Sequence, residues 1–370
     1  MPMDKNKEEN ADFLMEDDLE DEGLLNMPVQ KVKKDLEANA LPLVFNLMEM
    51  HFSVGEIYWT MSSGKKITLF HPGDWIRKDY LQKFLSAGKE IQIDTILNED
   101  YCSKGLGLFE KFLECEEEED KAEYRDAIIS WICDGYWNNE EEVGLADLMF
   151  VCEQSFFGFT QEEEQKLFDS SADLFKRSSI VSSLLVSLAI VMGYLDKELL
   201  KDLYHLSFLF DISLDENVLS TNLINALEQE RKTPQSWHSS LGENEVSVFK
   251  SHSEQGVDKA FTFYEEKMSN PGLLHFIETH HERINGLGFP LGLNEGEISD
   301  LEGLIIFVNN RFPYSDLKLR SGDASSYLRI LMEKSEELEA VLTNRIKKII
   351  TNEFENRDSE HAKYLEVSGI

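Results

Sequence analysis

The chain has 370 residues, 42% of them hydrophobic, which is enough for more than one core-bearing unit. Its 71 acidic residues stand against 36 basic ones, a formal charge of -35, and a surface of that sign repels nucleic acid and anionic membranes alike. Its four cysteines, Cys102, Cys115, Cys133 and Cys152, show no CxxC spacing, which argues against a zinc ribbon or disulfide framework and points to reduced thiols in a cytoplasmic protein.

Residues 1–26 carry the acidic blocks around Glu8 and Glu16–Glu22, without the basic flank and apolar run of a signal peptide, so a disordered acidic tail is expected. A small α/β domain is expected over residues 27–105. Leu41–Met50 is apolar enough for a core element. Gly55–Met61 and Lys65–Phe70 flank Ser62-Ser63-Gly64 and read as a hairpin. His71 reads as a turn residue, followed by an N-capped helix from about Asp79, a stop at Gly88 and a strand ending near Ile93.

From Leu106 the period becomes helical, with Phe109, Phe112 and Leu113 on one face, and residues 106–159 are expected to form a helical linker region. The acidic block Glu114–Asp120 lacks the glycine-punctuated ligands of a calcium loop and reads as a solvated face. Phe168–Tyr194 has helical spacing through Val181, Leu184, Leu185 and Leu188. Its apolar run, Ile180–Gly193, is shorter than the roughly 20 residues of a bilayer span, so no membrane span is expected. A helix from Asp196 to Phe210 follows, and another covers Asp300–Phe312. Ser325–Phe354 is amphipathic, with a stripe that suits either core or a homodimer seam.

The most informative stretch is Thr279–Pro290, THHERINGLGFP. Neutral imidazole is the commonest transition-metal ligand, and adjacent histidines on one turn can face a shared ion. Gly286 and Gly288 allow a sharp turn and Pro290 fixes its exit. Two histidines before a glycine turn are often solvent-facing, but the whole pattern points to a metal. It resembles the HHE-x-x-x-G-x-GYP signature of the HD-GYP family, helical metal-dependent phosphodiesterases of cyclic di-GMP, and Leu291–Ile298 is similar to the segment that follows it there. Asn285 stands where an aspartate is usual, and Phe289 replaces the tyrosine.

The resemblance implies a mainly α chain, with an HD-type helical bundle over residues 160–370 behind the small α/β domain. It also implies where the chemistry should lie. The family's first histidine ligand falls on Arg177, its HD dyad on Phe210 and Asp211, and its phosphate-contacting lysine on Leu214. The next histidine falls on His252, followed by Gly256, and the late aspartate falls on Asn309. The surviving candidate metal ligands are Asp211, His252, His280 and His281. No residue is assigned a catalytic role, Asp211 being the family-equivalent position.

Arg177 is always charged and cannot ligate a metal, and one role open to it is to replace a cation beside Asp211. A two-metal centre would lack donors, so the expected cofactor is none or a single divalent metal, iron or manganese. A catalytically inactive or impaired sensor, scaffold or partner-binding module in bacterial cyclic di-GMP signalling is therefore expected, the alternative being an active phosphodiesterase with a reduced metal site. Candidate partners are a GGDEF-domain protein or other signalling protein, and cyclic di-GMP itself. Arg177, Arg283, Gly286, Gly288, Phe289 and Pro290 are the candidate partner- or ligand-binding residues, and Lys250 and Arg311 are further basic candidates. Glu282 is expected to hydrogen-bond locally rather than act as a base.

Overall fold

The computed structural model describes residues 45–133, 143–160, 172–214, 220–233 and 241–314, with a few isolated positions outside these runs. The acidic tail and almost all of the amphipathic stretch Ser325–Phe354 lie outside the described residues. The fold is mainly helical with one small sheet. The hairpin forms as its alternation predicts: β2 (Gly55–Thr60) pairs antiparallel with β3 (Lys66–Phe70), Trp59 opposite Ile67. On the other side of β2 lies antiparallel β4 (Ile91–Thr95), Ile57 opposite Ile93. A two-residue β1 (Gln30–Lys31) extends β4 in parallel, giving the order β1-β4-β2-β3.

Helix α1 (Lys78–Ser86) lies on this sheet through Phe84 against Trp59 and Tyr80 against Phe70. Its first turn is not capped by a side chain as the sequence suggested, because Arg77 occupies the cap position. Gly88, at φ 65°, ends the turn after it.

Helix α2 (Glu99–Glu114) starts well before Leu106, with the Asn98 side chain accepting from Tyr101 N at 3.1 Å. Its buried stripe is Tyr101, Cys102, Gly105, Phe109 and Phe112, and the first three are too weakly apolar to register as a helical period. The expected boundary at residues 105 and 106 thus falls inside one helix. Gly105 sits where a Cβ would run into the Trp131 ring of α3 (Glu118–Ile132). Helix α4 (Leu145–Phe156) is buried on nearly every side, so the stretch expected to be a linker forms core instead.

Asp147 of α4 is fully buried, accepting from Asn98 N at 2.6 Å, Gly144 N at 2.5 Å and the Cys102 thiol at 3.2 Å. Burial outweighs these bonds and pushes its carboxyl from 3.8 up to about 6. The folded state therefore holds more protons than the unfolded chain between those values, and this group's contribution to stability falls as pH rises through that window, by about 2 to 3 kcal/mol. Urea unfolding from pH 4 to 7 should show the stability of wild type relative to Asp147→Asn declining across it; a constant difference would refute the assignment.

Helix α5 (Ala172–Val191) crosses the centre of the protein. Its buried serines stay satisfied by donating back along the helix: Ser179 to Phe175 O, Ser183 to Ser179 O and Ser187 to Ser183 O, at 2.7–3.1 Å. The helix is longer than its apolar run, and Asp173–Val191 is long and apolar enough to cross a membrane by length and composition, with 89% of that window buried inside the protein. Then come α6 (Lys197–Leu206), a run of turns to Leu214, α7 (Thr221–Lys232), α8 (Glu243–Tyr264), the single turn α9 (Phe276–Thr279) and α10 (Asp300–Arg311). One continuous apolar core runs from Phe45 and the sheet through α2–α6 to Phe312.

Candidate metal centre

Four side chains from three places converge. Asp211 comes from the turns after α6, His252 from the middle of α8, and His280 and His281 from the residues just after α9. One potential ligand atom from each lies within 4.8 Å of all the others. Asp211 Oδ1 is 3.6 Å from His252 Nε2 and 3.8 Å from His280 Nε2, and His252 Nε2 is 3.1 Å from His281 Nε2. A tetrahedral ion with bonds of about 2.0–2.1 Å spaces its donors by roughly 3.3 Å, so small inward rotations would close the set.

The helix backbone sets the tautomers. His252 Nδ1 lies 2.6 Å from Phe249 O, and His280 Nδ1 lies 2.5 Å from Ile277 O. A carbonyl only accepts, so both Nδ1 atoms donate; the His252 Nε2 lone pair then faces inward and the His280 Nε2 is turned to the same point, as an outer-shell carbonyl arranges for a metal-binding histidine. Asp211 Oδ1, His280 Nε2 and His281 Nδ1 are buried without a hydrogen-bond partner. Burial holds the His252 imidazole down at about 4 and His281 well below its ordinary value, so both rings are neutral donors. Burial acts to raise the Asp211 carboxyl, but the imidazoles of His280 and His252 and the Arg177 guanidinium outweigh it and keep the group below its usual range. Three imidazoles and one carboxylate can hold a metal ion.

Arg177 stands beside this set. Its Nη1 is 4.0 Å from Asp211 Oδ2, and both side chains are buried. The guanidinium is held by Asn309 Oδ1 at 3.0 Å, Asn309 O at 2.6 Å and Phe312 O, and it covers the Tyr314 ring at 3.8 Å. The Asn309 amide in turn donates to His280 O at 3.3 Å. The residues at 177 and 309, where the resemblance expects metal ligands, thus bind each other and brace the candidate ligands. Phe210 stacks on His280 at 5.1 Å and 6°, and Leu214 is buried in a satellite apolar cluster, away from any phosphate role.

The loop after the histidines is built on Glu282. Its carboxylate accepts from Leu291 N at 2.5 Å, Gly292 N at 3.0 Å and Leu293 N at 2.8 Å, the local role expected for it. Gly288 is required because a Cβ there would lie 2.4 Å from Glu282 Cα, and Gly286 turns the chain at φ 72°. Phe289 precedes a cis Pro290, stacks on His281 at 4.7 Å and 14°, and donates its N–H to His281 O at 3.3 Å. Leu287 and Leu291 at the loop's edge are 45% and 56% exposed.

Arg283 requires a correction. It is buried against the buried Glu230 of α7, its Nε 3.4 Å from Glu230 Oε1 and its Nη2 donating to Glu230 O, so it is not available to a ligand or partner. The same burial removes Arg177 from any external surface. Glu230 and Tyr314 lie 53 residues from Arg283 and 137 from Arg177 along the chain, and no local pattern marks either as a partner. The chain matches no family model, no curated protein and no solved structure.

Proposed function

We propose that this chain is a degenerate HD-GYP-like protein that binds a single divalent metal and acts without hydrolysis, as a sensor or scaffold in cyclic di-GMP signalling. The observation that carries the reading is the Arg177 guanidinium 4.0 Å from Asp211, a fixed charge where a second cation would have to sit. Burial supports it. Asp211 is 8% exposed and His252, His280 and His281 are 2% or less, so a dinucleotide's phosphate has no way to the ligand atoms without rearrangement. The bundle of α5–α10 carrying the four ligands suits an HD-type frame, and that identity rests on the motif resemblance.

In this reading Asp211, His252, His280 and His281 hold the ion, Arg177 balances the carboxylate, and Asn309 fixes Arg177. A metal here would supply Lewis acidity, but with Leu214 in the core no basic side chain at that position contacts a substrate phosphate. Output is assigned to the loop bearing Leu287 and Leu291, the exposed edge of the segment that Glu282 and His281 anchor. The test is metal content by mass spectrometry after growth with iron or manganese, paired with a cyclic di-GMP hydrolysis assay. At most one ion per chain and no turnover are expected. Two or more ions with turnover would establish the active phosphodiesterase instead.

A further inference from the structure

Away from the metal centre, a small cavity of about 50 Å³ opens between α6, the end of α8 and the segment after α4. One wall is His205 of α6, 7% exposed, whose Nε2 is buried with no hydrogen-bond partner. Its ring is neutral, since burial brings it down to about 4 and the neighbouring Lys201 ammonium acts in the same direction; the other ring nitrogen is bonded to the backbone at Phe156. A carbonyl there takes the Nδ1 proton, so Nε2 carries a lone pair and can only accept. Gly158 leaves the space open, because a Cβ at that position would lie 3.3–3.5 Å from the His205 ring and Lys201 Cε. Phe159 packs on the same imidazole at 4.5 Å and closes one side.

Two lysines, Lys201 and Lys267, and one acid, Glu163, supply the charge of the lining. Glu163 is ion-paired with Lys267, and its other oxygen accepts from Thr160 N and Oγ1 at 2.8 and 2.9 Å. Lys201 has no ion-pair partner among the described residues. The cavity is therefore net positive, by one lysine, in a protein whose formal charge is -35. The buried lone pair asks for a proton donor, and the solvent-facing Lys201 ammonium places a positive charge at the cavity beside it.

We propose that this cavity binds a small oxyanion that keeps a hydroxyl proton, with Lys201 taking the charge and His205 Nε2 accepting the O–H. Hydrogen phosphate satisfies both groups, and sulfate at neutral pH satisfies only the first. The assignment is independent of the metal centre. It is tested on the full chain with inorganic phosphate as the probe, by calorimetry and by the side-chain nitrogen signals of histidine-labelled protein. Phosphate should bind saturably and shift the His205 signal, sulfate should bind at least about fivefold more weakly, and Lys201→Met should weaken phosphate by about fivefold or more. His205→Phe should abolish the preference for phosphate over sulfate. Lys201 is exposed on its helix, so Lys201→Met keeps the fold even if the buried His205→Phe does not. Absence of saturable phosphate binding, equal affinity for the two anions, or a Lys201→Met variant with unchanged affinity would each overturn the assignment.

Discussion

Arg177→Met is expected to destabilise the protein by about 3 to 5 kcal/mol in the presence of a chelator, because it leaves the buried Asp211 carboxylate with no fixed counter-charge. Methionine fills much of the same volume, so loss of packing on Tyr314 is a minor part of the effect. The variant also strips Asn309 of the donor to its side-chain oxygen. Arg177→Lys keeps the charge but not the fork that reaches both Asn309 and Phe312, and should fall between the two. Adding manganese or zinc should restore more stability to Arg177→Met than to wild type, since the ion then provides the charge that the guanidinium supplied. Urea unfolding with and without metal decides it. If Arg177→Met is as stable as wild type under chelator, the guanidinium is not compensating Asp211.

Glu282→Ala should cost about 3 kcal/mol or more, since one buried carboxylate gathers three backbone amides and alanine leaves all three without it. The local signature is sharper than the global one. Hydrogen exchange at Leu291, Gly292 and Leu293 should accelerate by at least about tenfold, while amides in α5 keep their protection. Glu282→Gln retains a single acceptor oxygen and should lie between alanine and wild type. Unchanged exchange at these three amides in Glu282→Ala would show that the loop holds its shape without the carboxylate.

The sequence was informative where the signal was local. The hairpin around Gly64, the strand at Ile91 and the helices through Val181 and Leu304 follow from alternation, turn residues and apolar spacing. Of the four side chains of the candidate metal centre, His280 and His281 are legible in the motif and Asp211 and His252 only through the family resemblance, and the structure brings all four together. What stayed hidden depends on long-range partners. Arg283 looks like a free cation in sequence, and only the packing of α7 supplies Glu230. The early start of α2 was hidden because Tyr101, Cys102 and Gly105 bury themselves without being strongly apolar. His205 sits in an ordinary amphipathic helix, and its unmet lone pair follows from Gly158 and Phe159 arriving from another segment.

The sheet and the bundle share their interior. Phe45 meets Phe150, Trp75 meets Phe175, His51 N donates to Glu153 and Asn98 N to Asp147. A gene fragment cut at residue 105 or 159 would therefore expose apolar surface on both pieces, and neither would be a usable reagent by itself. Chimeras that graft the strand layer onto another scaffold face the same obstacle: among the described residues no seam parts the sheet from the helices, so a substitution that repacks one alters the packing of the other.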